Sequence, residues 1–355
     1  MPSYTIDTDS PVLVTGATGY LAGWIVKGLL EAGVTVHAAV RNPDDTAKTA
    51  HLRRIAETAT GELKFFAADL LDEGSYDAAM AGCGIVFHTA SPFTTSVDDP
   101  QKDLIDPAVK GTRNVLGSVQ RTESVHRVVL TSSCAAIYTD SIETHDGPGG
   151  RLDETVWNST ASLQNQPYSY SKTLAEKAAW EMSEGQGRWR LVAINPALIL
   201  GPALQDRPTS ESVNIVRQLG DGTMKQGAPR YAIGAVDVRD VAEAHIAAAY
   251  LPDAQGRHIV FAESTDFYEM GQMLQDRFGD SYPLPKRPMP KGLFWLLGPI
   301  AAGVSRSTVS RNVGHAFRAD NSKGKRALGL DYMPVKQSIN DMFAQMIEGG
   351  IIERR

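Results

Sequence analysis

Short apolar runs alternate along this chain with longer stretches whose apolar positions recur every three or four residues. Residues 11–15 read as a first strand built on Val12-Leu13-Val14. Residues 20–32 carry Leu21, Ile25, Leu29 and Leu30 at helical spacing, with Gly33 as the stop. The rhythm continues with strands at 34–40, 63–67, 85–88 and 128–130 and helices at 46–58, 76–81 and 103–121. A further helix opens at 167–173 and runs to 184, and 190–200 reads as a strand ending at Gly201-Pro202. Strands alternating with helices need crossover connections. The pattern therefore predicts an α/β fold, a doubly wound parallel sheet covered on both faces. Uninterrupted apolar strands fit burial on both sides.

Beyond residue 200 the rhythm loosens, and Pro and Gly crowd residues 206–230 and 282–292. We divide the chain into a dinucleotide-binding domain over 1–200, with returning elements near 235–262, and a smaller mixed C-terminal substrate lobe over 201–355. The apolar segment 293–303 is broken by Gly and Pro and falls short of the roughly 20 residues of a spanning helix. It is expected to be a lobe-packing helix; a lid or a membrane-surface contact are the alternatives.

Composition narrows the class. At 355 residues, 42% hydrophobic, the chain can bury a core without disulfides or a structural metal. A net charge of −6 argues against nucleic acid as the main partner. The two cysteines form no Cys-x-x-Cys pair, and no metal site is expected. The first residues lack a basic and then apolar leader, so the expectation is a cytoplasmic protein.

Val14-Thr15-Gly16-Ala17-Thr18-Gly19-Tyr20-Leu21-Ala22 stands at the first strand-to-helix turn. Glycines there allow a tight turn and a close backbone approach to a pyrophosphate, which the helix N-terminus favours. Any Gly-rich turn would show the same pair; its place in a βαβ series gives the match its weight. The second strand ends in Arg41, where a site for the non-phosphorylated cofactor would carry an acid. A guanidinium can grip a 2′-phosphate in a bidentate pair, so NADP(H) is expected over NAD(H), with Lys48 as a second charge. Asp69 is placed to accept from the adenine amino group; a helix N-cap is its other reading.

Tyr168 and Lys172 are four residues apart and share a helix face. An ammonium near a phenol favours its ionised form, which suits a tyrosine that must pass a proton to a carbonyl oxygen. The strand at 128–130 runs into Thr131-Ser132-Ser133, and a hydroxyl there points into the crevice where such sheets bind ligands. Ser133 is expected to hold the substrate oxygen, and Ser132 to face away by strand alternation. A polar turn and an exposed helical pair would each explain one feature alone.

Taken together with Phe87-His-Thr-Ala-Ser-Pro92, Gly111-Thr-Arg-Asn114, Asn195-Pro196 and Val236-Asp-Val-Arg-Asp-Val-Ala242, these motifs resemble the extended short-chain dehydrogenases/reductases. The branch resembled is the one of dihydroflavonol reductases, cinnamoyl-CoA reductases and microbial carbonyl reductases. The resemblance implies a Rossmann-type fold and a Ser133-Tyr168-Lys172 triad. It implies NADP(H) held by Thr15, Gly16, Thr18, Gly19, Tyr20, Leu21, Arg41, Lys48, Asp69, Leu70, His88, Thr89, Ala90, Tyr168, Lys172 and Pro196. It points to Ser91, Phe93, Ser133, Tyr138, Tyr168 and Leu200 as substrate pocket. Plant flavonoid reductases carry Asn five residues after the catalytic Ser; here that position is Tyr138. The expected reaction is therefore reduction of a more generic aldehyde or ketone, by a monomer or a homodimer. Two rivals stand beside it: a nucleotide-sugar epimerase or dehydratase that recycles its cofactor, and a non-catalytic NADP(H)-sensing protein.

Overall fold

The computed structural model describes residues 4–91, 97–206, 208–279 and 281–353. Over the first half the order is β1 (Val12–Thr15), α1 (Tyr20–Glu31), β2 (Val36–Val40), α2 (Thr46–Ala56), β3 (Leu63–Ala67), α3 (Asp77–Met80), β4 (Ile85–His88), α4 (Asp106–Arg121), β5 (Arg127–Thr131), α5 (Pro167–Glu184) and β6 (Arg190–Pro196). There follow β7 (Leu198–Leu200), α6 (Glu211–Gly220), β8 (Ala228–Pro229), β9 (Ala232–Asp237), α7 (Val238–Tyr250), β10 (Gly256–Val260), β11 (Glu263–Asp266) and α8 (Phe267–Phe278). The chain ends with β12 (Pro288–Met289), α9 (Lys291–Ala301), α10 (Arg306–Asn312), α11 (Ser322–Leu328) and α12 (Val335–Glu348).

Seven strands form one parallel sheet in the order β10-β6-β5-β4-β1-β2-β3. Alternation along β1 shows why both faces are covered. Val12 and Val14 bury among α1 and α7 residues such as Leu29 and Ile246. Leu13 points to the other face, among Val115, Leu116 and Met80. The strand order reverses between β1 and β4, where Thr15 and His88 lie opposite each other at the strand ends. A sheet of this kind opens a ligand crevice at that reversal.

The returning elements are α7, which packs on α1, and β10, which closes the sheet edge beside β6. The stretch expected as one strand over 190–200 is two. Pro196 has no N–H to give a ladder, and the chain leaves the main sheet there. Leu198–Leu200 then pairs with β9 in a three-stranded sheet completed by antiparallel β11. This mixed sheet and α6, α8 and α12 bury a second core that includes Val216, Leu274, Ile339 and Phe343. Arg239 ties the two parts by bonding to Asp237 and to Asp341 of α12 at 2.9 Å.

The segment 293–303 is largely α9. One side packs as expected, with Phe294 buried on Val309 and Val313. Leu293, Trp295, Leu296, Leu297 and Ile300 stay exposed. No helix among the described residues is long and apolar enough to cross a membrane.

Candidate active site

The first turn after β1 is shaped by Gly16, whose φ is +61°, a conformation that favours glycine. A Cβ at Gly16 would lie 3.0 Å from Ala90, and one at Gly19 would lie 3.1 Å from the Gly16 carbonyl oxygen. No side chain caps α1, which starts after Gly19. Its orphan N–H groups are therefore available to an anion. These features fit a pyrophosphate on the turn.

A cleft of about 1070 Å³ opens from this turn. It is lined by Gly16, Thr18, Gly19, Tyr20, Arg41, Lys48, Asp69, Leu70, Thr89, Ala90 and Ser91, among others. Eleven residues expected from the sequence thus meet on one surface, with Ser91 arriving from the expected substrate side. Arg41 and Lys48 are exposed at its lip, and Lys48 pairs with Asp45, the N-cap of α2, at 3.2 Å. Asp69 accepts from the Leu71 N–H at 2.8 Å, so it is a local cap as well as a cleft residue.

Other expected residues support the cleft from behind. Thr15 is buried; its Oγ1 meets His88 Nδ1 at 3.0 Å and accepts from the Ala90 N–H at 3.0 Å. Burial, with the Lys172 charge second, holds His88 down to about 3, so its ring is neutral. Thr89 donates to the Thr15 carbonyl at 2.5 Å. Leu21 is buried against the sheet, and Pro196 is buried at the end of β6. Tyr20 donates its hydroxyl to the Gly201 carbonyl at 2.6 Å, which anchors the segment crossing the cleft mouth.

Tyr168 stands in the first turn of α5 with its side chain half exposed, and its hydroxyl bonds to none of the described residues. One turn on, Lys172 Nζ lies 5.8 Å from the Tyr168 ring centroid and donates to Ser91 Oγ at 3.0 Å. Lys172 thereby ties α5 to Ser91, a residue of the cleft lining. Ser133 caps the short turn Cys134–Ala136, against which α5 packs. Its Oγ accepts from the Ala135 N–H at 3.1 Å, so its own proton is free to donate. Ser132 faces away, as expected: it is buried, with its hydroxyl on Glu176 at 2.5 Å.

Two residues expected in the substrate pocket do not line this cleft. Leu200 is fully buried in the lobe core and does not line the cleft. Pleating turns it from the cleft side once β7 joins the second sheet. Tyr138 packs its ring on Phe317, 5.3 Å between centroids, in a cluster with Cys134, Ile137 and Phe261. Phe93 lies outside the described residues.

Residues 12–262 match the NAD dependent epimerase/dehydratase family. The chain belongs to that family. Within it, the chain stands in the dihydroflavonol-reductase-like and cinnamoyl-CoA-reductase-like branch of the extended short-chain dehydrogenases/reductases. Cinnamoyl-CoA reductase CAD2 of Medicago truncatula is 38% identical over 341 residues, 95% of each chain. A putative anthocyanidin reductase of Ginkgo biloba is 39% identical over 295 residues, covering 80% of this chain and 84% of its own. The crystal structure of Gre2 from Candida albicans superposes with a TM-score of 0.76 at 27% identity, over 96% of this chain and 99% of that one.

In this family member the cleft also recruits residues the sequence did not single out. Gln205 donates to the Thr18 carbonyl at 2.9 Å, and Asp206 pairs with Arg54 at 3.0 Å. His51, Arg54, Gln205 and Asp206 line the same cleft. The helical spacing of Lys48, His51 and Arg54 was the available signal. Glu176, missed by the sequence reading, is the hub of a buried network. It accepts from Ser132, from Asn195 at 2.8 Å and from Arg257 Nε at 2.7 Å.

Proposed function

We propose that the protein reduces an aldehyde or ketone to the alcohol, with NADPH as hydride donor. The reading is carried by one juxtaposition. Lys172 sits one turn after Tyr168 and bonds to Ser91 in the lining of a dinucleotide-sized cleft. The relatives named as reductases support it, as does the solved complex of Candida albicans Gre2 with NADPH, 28% identical with a TM-score of 0.75. When bound, the cofactor supplies a hydride to the carbonyl carbon.

The chain supplies position and protons. Gly16, Gly19 and the uncapped start of α1 receive the pyrophosphate, and Arg41 and Lys48 meet a 2′-phosphate at the lip. Ser133 donates its free proton as a hydrogen bond to the carbonyl oxygen. Tyr168 gives its phenolic proton to the same oxygen as the bond order falls. The ammonium of Lys172 is placed to stabilise the charge left on the phenol oxygen. Its bond to Ser91 fixes that ammonium and holds the ring and cleft in register.

A panel of aldehydes and ketones, run with NADPH and NADH in parallel, tests the reading through loss of nicotinamide absorbance. Steady consumption of NADPH with at least one carbonyl is expected, faster than with NADH. An epimerase or dehydratase would return its cofactor, and a sensor would bind it without turnover. Either outcome across the panel would overturn the reading.

A further inference from the structure

Charge is distributed unevenly along this acidic chain. Residues 281–319 contain six Lys and Arg and no Asp or Glu, against a net charge of −6 for the whole. The centre of that stretch is α9. Among the described residues, nine large apolar or aromatic side chains are exposed, and five of them sit on this helix. Ile300 is 89% exposed and Leu296 53%, values far beyond what scattered surface leucines need. Phe294, on the opposite side, anchors the helix to Val309 and Val313 beside Tyr231. Lys286 and Arg287 precede the helix in the chain, Lys291 opens it and Arg306 follows it, and all four are exposed. Among the described residues none of the four pairs with a carboxylate. Arg287 and Lys291 bond to backbone carbonyls, and Arg306 stacks on the Trp295 ring at 4.7 Å.

We propose that this face docks the protein on an anionic lipid bilayer. Leu293, Leu296, Leu297 and Ile300 would enter the boundary between headgroups and acyl chains, and the exposed cations of the stretch would meet lipid phosphates and carboxylates. The observations select this occupant over a second copy. A stretch with six cations and no acid of its own repels its image across a two-fold axis, whereas it complements a negative surface. Leu293, Leu296, Leu297 and Ile300 share one side of a short helix, and such a side in a basic stretch is what interfacial binding uses. Pro299 and the 11-residue length of α9 are compatible with lying in the interface, not with crossing it.

The full chain is tested by flotation with vesicles of phosphatidylcholine alone or with about one-third phosphatidylserine. Binding is expected only to the anionic vesicles, and it should weaken as salt rises from about 50 mM to about 500 mM. Lys286→Ala with Arg287→Ala should lower affinity on the order of 25-fold, about fivefold per cation. Leu296→Asp with Ile300→Asp should abolish binding while the thermal midpoint holds. No binding above the neutral vesicles would overturn the proposal. So would a wild-type dimer that Leu296→Asp with Ile300→Asp converts to monomer, because the face would then belong to a second copy.

Discussion

Ser132 and Ser133 are neighbours with the same chemistry and opposite fates. Strand pleating sends Ser132 into the protein and onto Glu176, and leaves Ser133 at the turn with its proton unspent. That difference was legible from alternation alone. The Tyr168 and Lys172 spacing was equally legible, because a helix fixes what lies four residues on. Tyr168→Phe keeps the ring and deletes the proton. It should lower kcat about 10²- to 10⁴-fold with NADPH affinity unchanged, read by steady-state rates and cofactor titration. Arg41 has no partner among the described residues and faces the cleft lip. Arg41→Glu should raise KM for NADPH well above that for NADH, reversing the preference; unchanged ratios would place the 2′-phosphate elsewhere. The substrate pocket was not legible. Leu200 follows from its place along the chain and Tyr138 from the family resemblance, whereas their packing is set by partners such as Phe343 and Phe317, more than 100 residues away.

At the scale of elements, β1 to β6 followed from periodicity because each strand is short, apolar and bounded by a helix. The lobe did not, although α12 carries Val335, Ile339, Met342, Phe343 and Met346 at helical spacing and buries them all. Its Pro- and Gly-rich connections masked that signal. One contact holds several elements together. Glu176 on α5, its side chain fully buried, receives β5 through Ser132, β6 through Asn195 and β10 through Arg257. Arg257 also donates to the Val156 carbonyl and lies over the Trp157 ring at 3.9 Å. Removing one partner of such a buried pair strands the other charge. Glu176→Ala should therefore cost about 3–5 kcal/mol of stability. Chemical denaturation of the variant checks this, and a cost under about 1 kcal/mol would show that the network is dispensable.

Across the whole molecule, burial sets the response to acid. It holds His88 and His258 down to about 3 and His245 down to about 4. Unfolded, these rings take up protons near their ordinary value of about 6.5. Between about pH 4 and 6.5 the unfolded chain thus binds more protons, and stability falls as pH falls. Asp240 acts the other way. Burial raises it to about 6, so it favours the folded chain as pH drops from 6 towards its unfolded value. Burial lowers His51 as well and raises Glu154, so four histidines stand against two carboxyls. The urea midpoint should drop on acidification from pH 6.5 to 4.5, and Asp240→Asn should steepen that drop by removing an opposing group. A midpoint that rises over the same interval would contradict both statements.

The seventh strand of the main sheet is made late. A ribosome that has released only the first 200 residues has delivered α5 with Glu176 but not the arginine that neutralises it, nor α7, which roofs α1. Until residue 260 has cleared the exit tunnel, the sheet edge at β6 stays open and that charge has no arginine to meet it. Completion of the sheet thus comes after synthesis of α5, and that helix gains its charge partner only from chain made later.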